Sequence, residues 1–102
     1  MELKRKLRAI WHHGLALIET TLAMLPNAQG FSAMRVWYWR MRGHPISKDC
    51  YIARNVYFIG RVTIGEGSHI ANNCYFNASA SEIIIGDRVM IAPNTVIVAF
   101  DH

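Results

Sequence analysis

From residue 46 onward a large apolar side chain returns at every sixth position: Ile46, Ile52, Phe58, Ile64, Ile70 and Phe76, then, after three extra residues, Ile85, Ile91 and Ile97. The next residue is usually small (Ser47, Ala53, Gly65, Ala71, Gly86, Ala92), and the fourth after each is compact (Cys50, Val56, Val62, Ser68, Cys74, Ala80, Val89, Thr95). Asp101 alone breaks that second column. Helices repeat near 3.6 residues and strands at 2, so a period of six reads as three strand periods, one short strand plus a turn. Hexapeptide self-similarity of this kind predicts a parallel β-helix. Three hexads make one coil, which divides the segment into 46–63, 64–81 and 85–102. Glu82, Ile83 and Ile84 then form a bulge between the second and third coils, with the isoleucine pair buried against a helix or a neighbouring subunit.

The first half has a different period. Leu3, Leu7, Ile10, Trp11, Gly14, Leu17, Ile18, Leu22 and Leu25 fall at spacings of three and four, which predicts an amphipathic helix over residues 2–25 that ends at Pro26. Arg5, Arg8, His12, His13 and Glu19 lie opposite this stripe, while Lys4 and Lys6 flank it. A second helix is framed by Ser32 as N-cap, Gly43 just past the C-terminus and Pro45 beyond. Its stripe of Met34, Trp37, Tyr38 and Met41 is expected to cover the open edge of the first coil, with Arg35, Arg40 and Arg42 outside it. The expected architecture is mainly β: a basic amphipathic helical segment over 1–44, then a three-coil parallel β-helix over 45–102.

An apolar fraction of 52 % with 18 % charged residues excludes disorder. Cys50 and Cys74 occupy the compact column and read as small inward fillers, so no disulfide is expected and a reducing, cytoplasmic setting fits. Residues 1–45 hold seven basic and two acidic side chains, whereas the remainder holds four and five. The basic surface therefore belongs to the helices. Two readings of residues 2–25 follow: a peripheral anchor on the anionic inner face of a membrane, or a helix docked on the β-helix. Glu19 and the His12–His13 pair interrupt the apolar run, so no transmembrane span is expected. A signal peptide is not expected either, since no A-x-A pattern follows.

The run Ile85-Gly86-Asp87-Arg88-Val89-Met90-Ile91-Ala92-Pro93-Asn94, followed by His102, resembles the I-G-D-N-V-M-I-A-P-N segment of hexapeptide-repeat sugar acetyltransferases related to the galactoside and maltose enzymes. Arg88 departs from the family's asparagine. Gly30, Arg35, Tyr38 and Gly43 ahead of the first hexad are similar, more loosely, to the lead-in of acetyltransferases acting on lipopolysaccharide and capsular sugars. The resemblance implies a left-handed prism, a homotrimer, acetyl-coenzyme A as acyl donor and no metal. It also implies a hydroxyl of a sugar in a surface polysaccharide or glycolipid precursor as acceptor. Family members continue for further coils, so the chain reads as the N-terminal part of such an enzyme.

His102 stands where the family carries its catalytic base, and imidazole suits proton removal near neutral pH. Asn77, in Tyr75-Phe76-Asn77, resembles the Y-x-N stretch that contacts the acceptor sugar, and an amide offers both a donor and an acceptor. It also reads as an ordinary turn asparagine. Asn72, Asn73 and Asn94 fall at hexad corners and read as structural, and His69 is placed at a corner as well. His69 and His102 fall on different prism faces, too few and too far apart for zinc, which needs three convergent ligands. The alternative function is a non-catalytic hexapeptide scaffold or assembly module, and no nucleic-acid partner is expected.

Overall fold

A computed structural model describes residues 1–100; Asp101 and His102 lie outside the described residues. Two helices, α1 (Glu2–Met24) and α2 (Gln29–Met41), precede six parallel strands: β1 (Tyr51–Ile52), β2 (Tyr57–Ile64), β3 (His69–Ile70), β4 (Tyr75–Ile85), β5 (Met90–Ile91) and β6 (Val96–Val98). They form two three-stranded sheets, β1-β3-β5 and β2-β4-β6. Tyr51 pairs with His69 and Tyr57 with Tyr75, eighteen residues on, whereas His69 pairs with Met90 and Tyr75 with Val96, twenty-one residues on.

The hexad columns stack in the expected register. Ile46 bridges to Ile64, which pairs with Ile85; Ile52, Ile70 and Ile91 form a second column, and Phe58, Phe76 and Ile97 a third. The first two members of each column are at most 3 % exposed. Burying an isoleucine or phenylalanine this fully contributes about 1.5–3 kcal/mol, so these columns hold the sheets together. Phe58 and Phe76 stack at 5.2 Å, and Trp39 of α2 meets Phe58 edge-on at 5.1 Å.

The compact column also carries hydrogen bonds. Cys50 Sγ donates to the Gly65 carbonyl at 3.1 Å, Ser68 Oγ to that of Gly86 at 2.7 Å and Cys74 Sγ to that of Ala92 at 3.2 Å. Both cysteines are free thiols, and burial pushes the Cys50 thiol up from its ordinary pKa. Corners turn through left-handed backbone at Asn55, Asn73, Arg88 and Asn94. Asn72 does not share that conformation; its Oδ1 accepts from Asn27 Nδ2 at 2.6 Å.

The three extra residues lie elsewhere than expected. Gly60 pairs with Ala78 and Arg61 with Glu82, so the insertion is 79–81, and Glu82–Ile84 belong to the ladder. Ile83 pairs with Val62 and is buried in the chain's own core, while Ile84 is exposed and Ala80, expected in the compact column, is exposed too. Gly60 permits the shift: its φ is +77°, and a Cβ there would stand 2.4 Å from the Ala78 carbonyl oxygen.

The helices depart further from their stripes. Residue 25 is extended, as expected before a proline, but α1 packs through Leu15, Leu22 and Ala23, roughly a third of a turn from the midline of its apolar stripe at 3.6 residues per turn. Leu3, Leu7, Ile10, Trp11, Leu17 and Ile18 are exposed. In α2 the buried face is Ser32, Arg35, Val36, Tyr38 and Trp39, whereas Met34, Trp37 and Met41 are exposed. Ser32 is not the N-cap, since the helix starts at Gln29 with Ala28 as cap. Gly43, with φ +100°, does lie just past the C-cap Arg42.

Unpaired strand groups explain this choice of face. The Ile52 N–H points away from β3 and donates to Ser32 Oγ at 2.9 Å, and the Ile52 carbonyl accepts from Arg35 Nη1 at 3.2 Å. Arg40 Nη1 donates to the Ile46 carbonyl. Three side chains of α2 thus occupy the edge that a further strand would pair with. Arg35 is 1 % exposed and also donates to the carbonyls of Leu22 at 2.8 Å, Leu25 and Pro26. A cation at the carbonyl end of α1 is favoured by the helix dipole. Burial lowers the Arg35 pKa, but a guanidinium begins so far above neutrality that it stays charged.

Candidate functional site

Two features able to meet a ligand share one stretch of the β2/β4 sheet. The first is Asn77, in register with Ile59 on one side and Val98 on the other. In-register parallel neighbours point to the same side of a sheet, so Asn77 stands on the outward face with the half-exposed Ile59. Its Oδ1 accepts from the Ser79 N–H at 3.0 Å and from Ser79 Oγ at 2.7 Å, which ties the amide to the start of the 79–81 insertion. Its carbonyl accepts from the Ala99 N–H at 2.9 Å, so the following coil runs directly alongside. His102 lies outside the described residues. His69 is on β3 in the other sheet, stacked on Tyr51 at 5.1 Å, and is not brought to Asn77.

The second feature is a cavity of about 450 Å³ next to Ile59 and Gly60, lined also by Glu19, Trp39, Arg42, His44, Phe58 and Arg61. Its walls come from three elements. The α1 side chain Glu19 and the α2 side chain Tyr38 meet through Tyr38 Oη, which donates toward Glu19 Oε2 and the Leu15 carbonyl, each at 3.2 Å, and accepts from Arg42 Nη1 at 2.9 Å. Arg42 completes the triangle with Glu19 at 3.7 Å. Burial raises the Tyr38 pKa, with the Arg42 hydrogen bond acting against it. The phenol is therefore a neutral hydrogen-bonding hinge between the charges.

His44 lies on the turn between Gly43 and Pro45 and packs edge-on against Trp39 at 5.4 Å and tilted against Phe58 at 5.8 Å. Burial, reinforced by Arg42, lowers its pKa, so the ring is neutral near pH 7. Its Nδ1 is buried with no hydrogen-bond partner among the described residues. Two guanidinium groups, an imidazole and an aromatic floor suit a ligand with hydroxyl or anionic groups on an apolar ring face. Sequence reasoning passed over His44, for a single histidine after a helix-terminating glycine carries no spacing motif. Asn27 was missed for the same reason, although its Oδ1 accepts from the Arg54 N–H at 2.7 Å and clamps the helix connection to a corner. Among the described residues no three of His, Cys, Asp and Glu converge to hold a metal ion.

The acid of the Ile85-Gly86-Asp87 run has a structural task. Asp87 Oδ1 accepts from the Glu66 N–H at 2.9 Å in the coil before it, and Asp49 Oδ1 in the first coil accepts from the Gly67 N–H at 3.0 Å in the coil after it. Hydrogen bonds from Ser47 and Gly67 hold the Asp49 carboxyl below the usual carboxylate range. Each acid thus fastens one corner to its neighbour, so this part of the motif reports coil stacking rather than chemistry.

No curated protein and no solved structure matches the chain. Residues 46–78, the stretch over which the six-residue columns stack without interruption, match the model of the family described as Bacterial transferase hexapeptide (six repeats), and this match supports the hexapeptide-repeat family for the segment.

Proposed function

We propose that the chain acts in acetyl transfer from acetyl-coenzyme A to a hydroxyl of a sugar, in a surface polysaccharide or glycolipid precursor, on a left-handed prism of three coils that works as a homotrimer. What carries the reading is the transferase-family match at residues 46–78 over strands that pair in parallel eighteen residues apart. His102 takes the proton of the acceptor hydroxyl as its oxygen attacks the thioester carbonyl, and backbone N–H groups hold the resulting oxyanion. Collapse breaks the carbon–sulfur bond, and the thiolate takes the proton back from the imidazolium. Asn77 hydrogen-bonds the acceptor sugar, whose remainder extends along the outward β2/β4 face toward Arg42, His44 and Arg61. No metal takes part.

The test is acetyl transfer from acetyl-coenzyme A to a panel of sugars. With His102→Ala, turnover falls roughly 100-fold to 10,000-fold in a protein that stays folded. With Asn77→Ala, the acceptor KM rises about tenfold while turnover changes less, as expected for the loss of one or two hydrogen bonds. Full activity in a folded His102→Ala protein would remove the catalytic assignment and leave a scaffold.

A further inference from the structure

Residues 2–13 of α1 are exposed on every side, and the helix is docked through Leu15, Leu22 and Ala23, with Gly14 and Glu19 partly enclosed. The stripe from Leu3 to Ile18 is therefore left free of the body, and Leu22 near its end joins the docked face. The free stretch runs roughly 22 Å at 1.5 Å per residue. Ile18 and Leu22 then border an apolar groove whose other wall is Ala33, Met34 and Trp37 of α2. Trp11 and Trp37 are 64 % and 62 % exposed, an unusual state for two tryptophans on one small chain.

We infer that this outward stripe, continued by Met34 and Trp37, seats on an anionic lipid surface. Charge decides the occupant. Lys4, Arg5, Lys6 and Arg8 crowd the first two turns against Glu2 alone, and Lys4 and Lys6 flank the stripe, where their stems lie along it and their ammonium groups reach past it to headgroups. A second copy on the same face would bring a second basic cluster. Glu2 and Glu19 are the only acids of the two helices, and Glu19 is already engaged by Tyr38 and Arg42. No helix among the described residues is long and apolar enough to cross a membrane, so the contact is interfacial. The inference is independent of the acetyl-transfer reading, since it uses no residue of the β2/β4 face.

The experiment is co-sedimentation of the chain with phosphatidylcholine vesicles, with and without phosphatidylglycerol, paired with tryptophan fluorescence. Binding rises with phosphatidylglycerol content and falls with salt. Each basic residue of the first two turns changed to Gln lowers the partition coefficient roughly fivefold, the equivalent of about 1 kcal/mol. A Leu7→Asp, Trp11→Asp variant keeps its far-ultraviolet circular dichroism, because both positions are solvent-facing, and loses binding. Brominated lipid quenches Trp11 and Trp37 and leaves the buried Trp39 bright. Equal binding of the double variant, or no dependence on phosphatidylglycerol at low salt, would overturn the inference. So would sedimentation velocity showing that the stripe mediates self-association which the double variant abolishes while neither protein binds vesicles.

Discussion

In the repeats, the inward positions are apolar apart from Ser68, and their neighbours stand eighteen or twenty-one residues away in register. In the helix pair, the two most enclosed polar side chains, Ser32 and Arg35, sit in an element whose exposed residues include Met34, Trp37 and Met41. The difference follows from where backbone groups find partners. Each inner strand of the repeats is hydrogen-bonded by the coil before and the coil after, so its large inward side chains have only packing to satisfy, while Cys50, Ser68 and Cys74 of the compact column bond carbonyls of the next coil. The helices meet the first coil, where Ile46 and Ile52 present unpaired groups, and the carbonyl end of α1, which needs donors. A face of donors and acceptors is selected there over a face of methionines.

That account makes Arg35 the most consequential side chain of the helix pair. Arg35→Met keeps volume and removes every donor, which leaves the carbonyls of Ile52 and Leu25 without that partner and those of Leu22 and Pro26 with only the backbone bonds from Leu25 and Ala28. The expected loss is about 3–5 kcal/mol in urea unfolding, from the bonds of a charged donor lost together with the carbonyls left unsatisfied. Met34→Gln on the same helix should cost less than about 0.5 kcal/mol, since its side chain is largely exposed. Equal losses would mean that α2 is held by its apolar stripe after all.

The hexad columns were legible because period six has no competing explanation, and the observed pairs reproduce them. The site of the insertion was not legible. Ile83, Ile84 and Ile85 are consecutive isoleucines, so apolar periodicity alone fits more than one placement; the pairing of Arg61, Val62 and Thr63 with 82–84 and the left-handed Gly60 select one. The roles of Ser32 and Arg35 were hidden because a helical stripe assigns polar residues outward by default, and only the unpaired edge groups reverse that. Asn77 was legible as a position, but its tie to Ser79 depended on where the insertion falls.

Within the repeats the comparison is sharpened at Gly65. A Cβ there would stand 2.2 Å from Asp87 Oδ1 and 2.6 Å from the Gly86 carbonyl carbon. Gly65→Ala should cost about 2–3 kcal/mol by forcing two coils apart. Gly14→Ala in α1, where nothing lies within 4 Å, should instead stabilise by up to about 1 kcal/mol. Urea unfolding of the two variants checks both signs.

The boundary between the two regions carries a pH dependence. The unfolded chain binds a proton at His44 below about pH 6.5, whereas the folded pKa is lower because burial and then Arg42 disfavour the imidazolium. Between the two values the unfolded state holds more protons, so stability falls as pH drops through that window and is fully present above it. His44→Phe should flatten this part of the stability profile, with a change in slope that cannot exceed one proton.

The smallest effect expected is a gain. Arg88 adopts φ 51°, a left-handed conformation that asparagine and glycine accept more readily than arginine. Among the described residues the other non-glycine residues in that region are all asparagines, Asn55, Asn73 and Asn94, and the position one coil before Arg88 is Gly67, also left-handed. The Arg88 N–H donates to the Glu66 carbonyl at 2.7 Å, a bond that any residue but proline retains. Arg88→Asn should therefore stabilise by about 0.5–1 kcal/mol, read as a rise in the urea midpoint with the slope unchanged. Asn73→Arg, the reverse change at a matched corner, should lose at least as much, because it also removes the side-chain bond that Asn73 Oδ1 accepts from Asn55 at 2.8 Å. If both changes proved neutral, backbone conformation would not be what selects asparagine at these corners.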